Sequence, residues 1–194
     1  TLFPYTTLFR SAGLAVYDAQ AGTLELTGNR PRLGRGSDYA EAEKIVLLPE
    51  SRVIKFNGGC RFEYTQSGAS GKSTKPTVIT TEYADWDYPG NLMHLIGKVR
   101  MEDPVQNAKM AADKVDVFLR DAVPGERNRF AGGSSGKQPD KVLAQGNVNL
   151  ERQTPEGLES VRAGRLTYSG KEDRVLLEER PELRRGEEIG RAHV

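Results

Sequence analysis

The sequence predicts an all-β protein, an antiparallel repeat solenoid of strand–turn–strand units. Three observations carry this. Charged and apolar residues alternate with a period of two over much of the chain. Clusters of Gly, Pro, Asp and Ser break those runs at short intervals. The units also recur, with similar residue strings in the same order. Alternation of this kind marks a strand with one apolar and one wet face. A unit that recurs in line marks a stack in which each copy covers its neighbour's apolar side.

Both ends of the chain are set aside before the fold is considered. Residues 1–11, TLFPYTTLFRS, read as the in-frame translation of a sequencing adapter, and residues 189–194, IGRAHV, as that of the adapter used at the opposite end. The expected natural segment is residues 12–187, a piece of a longer reading frame, with Glu188 at the junction. It is expected to form one β-repeat domain, divisible into two modules over about 12–64 and 78–187. The whole chain carries a net charge of +1, and removing Arg10, Glu188 and Arg191 brings basic and acidic side chains into balance. A neutral segment has no general pull toward nucleic acid, which is not expected as a partner. No apolar run is long enough to form a membrane-spanning helix.

The strands follow in order. Leu24-Glu25-Leu26, Cys60-Arg61-Phe62-Glu63, Lys98-Val99-Arg100-Met101-Glu102, Val115-Asp116-Val117, Val148-Asn149-Leu150-Glu151 and Leu166-Thr167-Tyr168 all alternate. Asn107 to Leu119 is the one stretch with some helical character, and the shared parity of Val115, Val117 and Leu119 favours strand from about Met110. Turns are expected at Asp18 to Gly22, Pro49 to Arg52, Pro155 to Gly157 and Gly170 to Asp173. Two longer loops, Thr65 to Pro76 and Val123 to Asp140, interrupt what would otherwise be hairpins.

The repeats are visible as strings. Ala12-Gly13, Tyr17-Asp18, Leu24-Glu25-Leu26 and Arg30-Pro31-Arg32-Leu33 match Ala163-Gly164, Tyr168-Ser169, Val175-Leu176-Leu177 and Arg180-Pro181-Glu182-Leu183. Ala42-Glu43-Lys44-Ile45 matches Ala112-Asp113-Lys114-Val115, and Gly58-Gly59-Cys60 matches Gly146-Asn147-Val148. A weaker copy runs from Ala84 to Glu102.

These strings resemble the LptA/OstA family. The resemblance rests on Ala112 to Val117, on Val142-Leu143-Ala144-Gln145-Gly146-Asn147-Val148, and on Thr27 to Leu33 and Leu176 to Leu183, which are similar to the family's recurring L-x-G-N-x-x-L strand; the second of these has Glu178-Glu179 where Gly-Asn is usual. It implies an open antiparallel sheet folded over, a β-jelly-roll or "taco", with an apolar slot. It further implies a non-enzymatic periplasmic protein that shields the acyl chains of lipopolysaccharide and bridges inner- and outer-membrane components. The implied partners are LptC-like and LptD-like OstA domains, or further copies head to tail, joined by edge-strand pairing. Arg184-Arg185 near the last strand is the alternative, an edge protected by charge.

The residues of inward parity are the expected lipid-binding face: Leu24, Leu26, Ile45, Leu47, Phe62, Val99, Met101, Val115, Val117, Val148, Leu150, Leu166, Tyr168, Val175 and Leu177, with Cys60 as a small apolar neighbour. Parity leaves two readings open, because the same residues would also fill a closed core. A structural β-solenoid with a filled core is therefore one alternative; a carbohydrate-active enzyme with paired inward carboxylates is another. No catalytic residue, metal ligand or cofactor is expected. His94 is the only histidine outside the trimmed ends, too few for a metal cluster of the cupin kind. Cys60 is the only cysteine, so no intrachain disulfide can form. Gly68 to Thr74 has two residues between its glycines where a phosphate loop needs four. Asp85, Asp87, Glu102 and Asp103 read as solvated strand faces.

Overall fold

In the computed structural model, residues 9–35, 38–64, 75–121, 137–185 and 188–191 are described. They form fifteen strands of one antiparallel sheet. The strands are β1 (Phe9–Ser11), β2 (Leu14–Asp18), β3 (Thr23–Thr27), β4 (Arg32–Arg35), β5 (Asp38–Glu41), β6 (Lys44–Leu48), β7 (Val53–Tyr64), β8 (Thr77–Asp87), β9 (Leu92–Asp103), β10 (Ala108–Asp121), β11 (Lys137–Thr154), β12 (Gly157–Ser169), β13 (Arg174–Glu178), β14 (Glu182–Arg185) and β15 (Glu188–Arg191). The expected all-β antiparallel architecture is what forms. Strand β10 begins at Ala108, two residues before the sequence places it, and Lys137 to Asp140, expected as loop, belong to β11. Residues 65–74 and 122–136, with the Gly68 to Thr74 string, lie outside the described residues.

The sheet is creased along its whole length. Register shifts fall at one level in the long strands: between Asn57 and Cys60, Thr80 and Tyr83, Ala112 and Lys114, and Gln145 and Val148. Outside them the chain breaks at the same level. β6 and β5 pair with opposite halves of β7, and β13 and β14 with opposite halves of β12. The sheet thus has two legs. One runs through β2, β3, β6, the adjoining halves of β7–β12, and β13; the other runs through β1, β4, β5, the remaining halves, β14 and β15.

Backbone chemistry makes the crease. Gly58 and Gly146 have φ of 79° and 73°, and their neighbours Gly59 and Asn147 are also left-handed, at 54° and 48°. Residues with a Cβ adopt this region reluctantly, Asn least so. Opposite each glycine strand stands an acidic one. A methyl group on Gly58 would sit 2.6 Å from Glu43 Oε2 and 3.0 Å from its Cβ, and the Asp113 side chain covers Gly146 in the same way. Asn147 Nδ2 donates to Asp113 Oδ2 at 2.8 Å, and Lys98 Nζ pairs with Glu82 Oε1 at 2.7 Å. Thr81 Oγ1 donates to the Ile96 carbonyl at 2.8 Å. The repeated strings of the sequence are therefore crease chemistry: small residue then acid on one strand, glycine then a small apolar residue on the next.

The register carries apolar ladders along the inner face. On the first leg one ladder runs Leu26, Ile45, Phe56, Ala84, Leu95, Val115, Ala144, Leu166, Leu177. Beside it runs Leu24, Leu47, Ile54, Trp86, Met93, Val117, Val142, Tyr168, Val175. The second leg contributes Leu33, Ala40, Phe62, Ile79, Met101, Met110, Leu150, Val161, Leu183. Folding the crease brings these faces together: the rings of Phe56 and Phe62, one from each leg, meet edge to face at 5.1 Å. Each large side chain so buried contributes about 1.5–3 kcal/mol.

The crease line itself is lined inside by small buried residues, Ala42, Cys60, Val99, Ala112, Val148 and Ala163. Burial pushes the Cys60 thiol up to about 11. Two outcomes follow. Gly58→Ala and Gly22→Ala both place a Cβ at positive φ, but only Gly58 is crowded, since the nearest atom to Gly22 is 3.9 Å away. Gly58→Ala should lose about 2 kcal/mol or more in urea unfolding and Gly22→Ala about 1; equal losses would show that the glycine–acid contact does not shape the crease. Cys60 in the folded protein should react with a thiol reagent at pH 8 about a hundredfold more slowly than in the unfolded chain. Because the fold favours the neutral thiol, stability should fall as pH rises from the ordinary thiol value of 9.0 toward about 11. Native labelling as fast as unfolded labelling contradicts this placement.

Candidate functional site

The two legs enclose a cavity of about 120 Å³ between β8–β13 and the end of β7. Its walls come from both legs. Trp86, Met93, Leu95, Val115, Val117, Val142, Leu166, Tyr168 and Val175 line it from the first, and Ile79, Met101, Met110 and Leu150 from the second. Val99 closes it at the crease. The chain has three methionines, and all three are in this wall. Unbranched, polarizable Met side chains adapt to occupants of different shape. Opposite the crease the rim is mixed: Tyr64, Thr77 and Asp103 from one leg, Leu119, Lys137 and Pro139 from the other. Lys137 Nζ pairs with Asp121 Oδ1 at 2.7 Å. Burial, with smaller effects from Asp38 and Tyr88, raises the Tyr64 phenol well above its usual value, so it stays neutral.

Of the residues singled out by parity, Val99, Met101, Val115, Val117, Leu150, Leu166, Tyr168 and Val175 line the cavity. Leu26, Ile45, Leu47, Phe62 and Val148 are buried outside it, and Leu24 and Leu177 are half-buried outside it. Val175, at 40% exposed, stands on a strand that pairs on one side only among the described residues. Parity missed Ile79, Trp86 and Met110, while Met93 and Leu95 share the parity of Val99, and Val142 that of Val148, on stretches to which the strand reading did not extend. On β8, β10 and β12 the crease adds a single residue and reverses which parity faces inward, as from Ile79 to Trp86 or from Met110 to Val115. Leu92 to Ile96 is apolar at four of five positions, which masks the parity there.

The carboxylates also need a correction. Asp103 is not on a solvated face: it is 4% exposed and lines the cavity. Its Oδ1 accepts from the backbone N–H groups of Val105 and Gln106, at 2.9 and 3.1 Å, and so closes the β9–β10 turn. Asp87 Oδ1 accepts from the Gly90 N–H at 3.0 Å in the turn before, and Glu102 pairs with Lys109 at 3.6 Å. His94 lies beside Asp85 and Asp116 in register and shares a hydrogen bond with Asp116 at 2.6 Å between Nδ1 and Oδ1, while Lys114 pairs with the other carboxylate oxygen at 3.1 Å. Each of these groups other than Asp85 thus has a structural partner in a turn or an ion pair. Arg184 and Arg185 are likewise engaged, with Glu182 at 3.7 Å and with Glu159 at 3.1 Å.

What the arrangement can do chemically is exclude water from an apolar group while leaving a polar one at the rim. A cavity of 120 Å³ is close to the ~150 Å³ engineered apolar cavity that stays dry and takes up benzene.

No family model and no curated protein matches the sequence. Among solved structures, the crystal structure of LptH, the LptA homologous periplasmic component of the conserved lipopolysaccharide transport device from Pseudomonas aeruginosa, is similar to this chain over 59% of its length and 78% of its own, at 14% identity and a TM-score of 0.48.

Proposed function

We propose that the chain binds the acyl part of lipopolysaccharide between the legs of its sheet and hands it on within the periplasm, without catalysing a reaction. The observation that carries this reading is the cavity: an apolar chamber walled by all three methionines, bounded by two legs that, among the described residues, are joined through the crease. The sequence resemblance to the LptA/OstA family supports the choice of ligand. Each buried methylene is worth ~0.8 kcal/mol, so a run of about six stabilises binding by roughly 5 kcal/mol before ordering costs. Bulkier lipid requires the legs to part, and in an open sheet this bends the crease without breaking strand pairing.

The sheet edges supply the partners in this reading. Among the described residues β2 pairs only with β3 and β13 only with β12. Their outer edges carry exposed apolar residues, Leu14, Val16 and Tyr17 on one and Val175 and Leu176 on the other. An edge of this kind pairs readily with another strand. LptC-like and LptD-like domains, or further copies of this chain head to tail, would extend the sheet there.

The second reading is a structural solenoid, favoured by the solid packing around Leu26, Ile45, Ile54, Phe56 and Phe62, each at most 1% exposed. The two separate on one experiment. Val117→Phe and Val142→Phe place extra volume in the cavity and should change stability by no more than about 3 kcal/mol. Uptake of fluorescent lipopolysaccharide should fall at least tenfold in each, and deacylated lipopolysaccharide should not compete in the unsubstituted protein. Uptake that is absent throughout, or unaffected by filling the cavity, favours the structural solenoid.

A further inference from the structure

The cavity does not run the length of the sheet. Strands β2–β6 contribute no residue to its wall, and β7 contributes only Tyr64 at its end. The inner face of those strands is nonetheless apolar and continuous with the ladders that form the wall. What changes at β7 is the contact between the legs. Phe56 stands next to Ala84 on one leg and Phe62 next to Ile79 on the other, and their rings meet across the interior, each 1% exposed. On the strands that wall the cavity Phe56's ladder continues as Ala84, Leu95, Val115 and Ala144, and Phe62's as Ile79, Met101, Met110 and Leu150, none of them aromatic.

We propose that the Phe56–Phe62 pair is a stopper that closes the interior at β7, making the cavity a dead end that takes one straight alkyl chain and limits how far its tip can enter. This rests on the reading of the cavity as a lipid site, and it adds directionality and a length limit. The chain enters between the rim and the β13 side, where Val175 is partly exposed, and its tip comes to rest against the two rings. Its polar end stays near Lys137 and Tyr64, which line the cavity at the strand ends farthest from the crease. A conduit open at both ends would need these rings to move out of the interior; a dead end loads and unloads by the same opening.

The test uses the full chain carrying a diazirine side chain in place of Met101 or Leu166 on one side of the pair, or of Leu26 or Ile45 on the other. The probes are lipopolysaccharide and straight-chain carboxylates from hexanoate to tetradecanoate. Adducts at Met101 and Leu166 with none at Leu26 and Ile45 are expected. Affinity should rise about fourfold per methylene and then level off as the tip reaches the rings. In Phe62→Ala the plateau should move to longer chains and adducts should appear at Ile45; Phe62→Leu serves if circular dichroism shows that the alanine variant does not fold. Adducts on both sides of the pair in the unsubstituted protein, or a plateau unmoved in both variants, overturn the stopper while leaving the lipid site standing. Adducts nowhere overturn the lipid site itself and the stopper with it.

Discussion

Everything in this molecule follows from a single line of backbone chemistry, the crease. An antiparallel sheet of strands up to 18 residues long, apolar on one face, cannot stay flat in water. It must cover that face with something else or with itself. Left-handed glycines at one level of alternate strands, each capped by an acidic side chain from its neighbour, let the sheet cover itself. The hydrogen bonds to Asp113 and Thr81 keep polar groups at the bend satisfied, which matters because an unpaired buried polar group costs about 1–3 kcal/mol. The inner ladders meet only because the crease aligns across strand after strand.

The same line explains what the sequence could and could not show. Alternation on either side of the crease is plain in Cys60 to Glu63 and Lys98 to Glu102, so the strands and their wet faces were legible. The recurring Ala-Glu-Lys and Gly-Asn strings were legible as repeats too, although not as a bend. Parity failed where the crease inserts one residue. Val115 and Val117 predict an inward odd set on β10, yet Met110 and Ala112 face inward beyond the shift at Asp113. Reading parity afresh after each acid-glycine level would have found Ile79, Trp86 and Met110. Met93 and Leu95 keep the parity of Val99 and Met101 across the crease, but their neighbours Leu92 and Ile96 are equally apolar and mask it; the pairing with Trp86 and Ala84 fixes their direction. Asp103 escaped for a different reason: a carboxylate that closes a turn with two backbone N–H groups can be buried where one facing solvent cannot.

A creased open sheet also differs from a sandwich or a barrel in what holds its two faces together. In a barrel the faces are joined by hydrogen bonds all the way round, and separating them breaks backbone pairing. Here, among the described residues, the legs are joined by backbone at the crease and elsewhere by side-chain contact. That contact is uneven. Around Phe56 and Phe62 it is aromatic and tight, while around Met93, Met101 and Met110 it leaves a chamber. Opening the methionine side gives up dispersion contacts that an alkyl chain can replace nearly one for one, because methylene against methylene resembles methylene against thioether.

Uneven packing therefore gives the molecule a firm end and a yielding end without any change of secondary structure. Residues of the firm end, such as Leu26 and Ile45, supply stability, since their burial is complete and nothing larger need enter. Those of the yielding end sit under less constraint: Val175 and Leu183, on strands β13 and β14, remain 40% and 45% exposed although their ladders point inward. Water at those positions is poorly accommodated, and covering them with either an alkyl chain or a neighbouring strand removes the same apolar surface. In the proposed reading, cargo and partner would draw on one source of free energy at one end of the sheet, and docking of a further domain at β13 would be coupled by position to occupation of the chamber beside it.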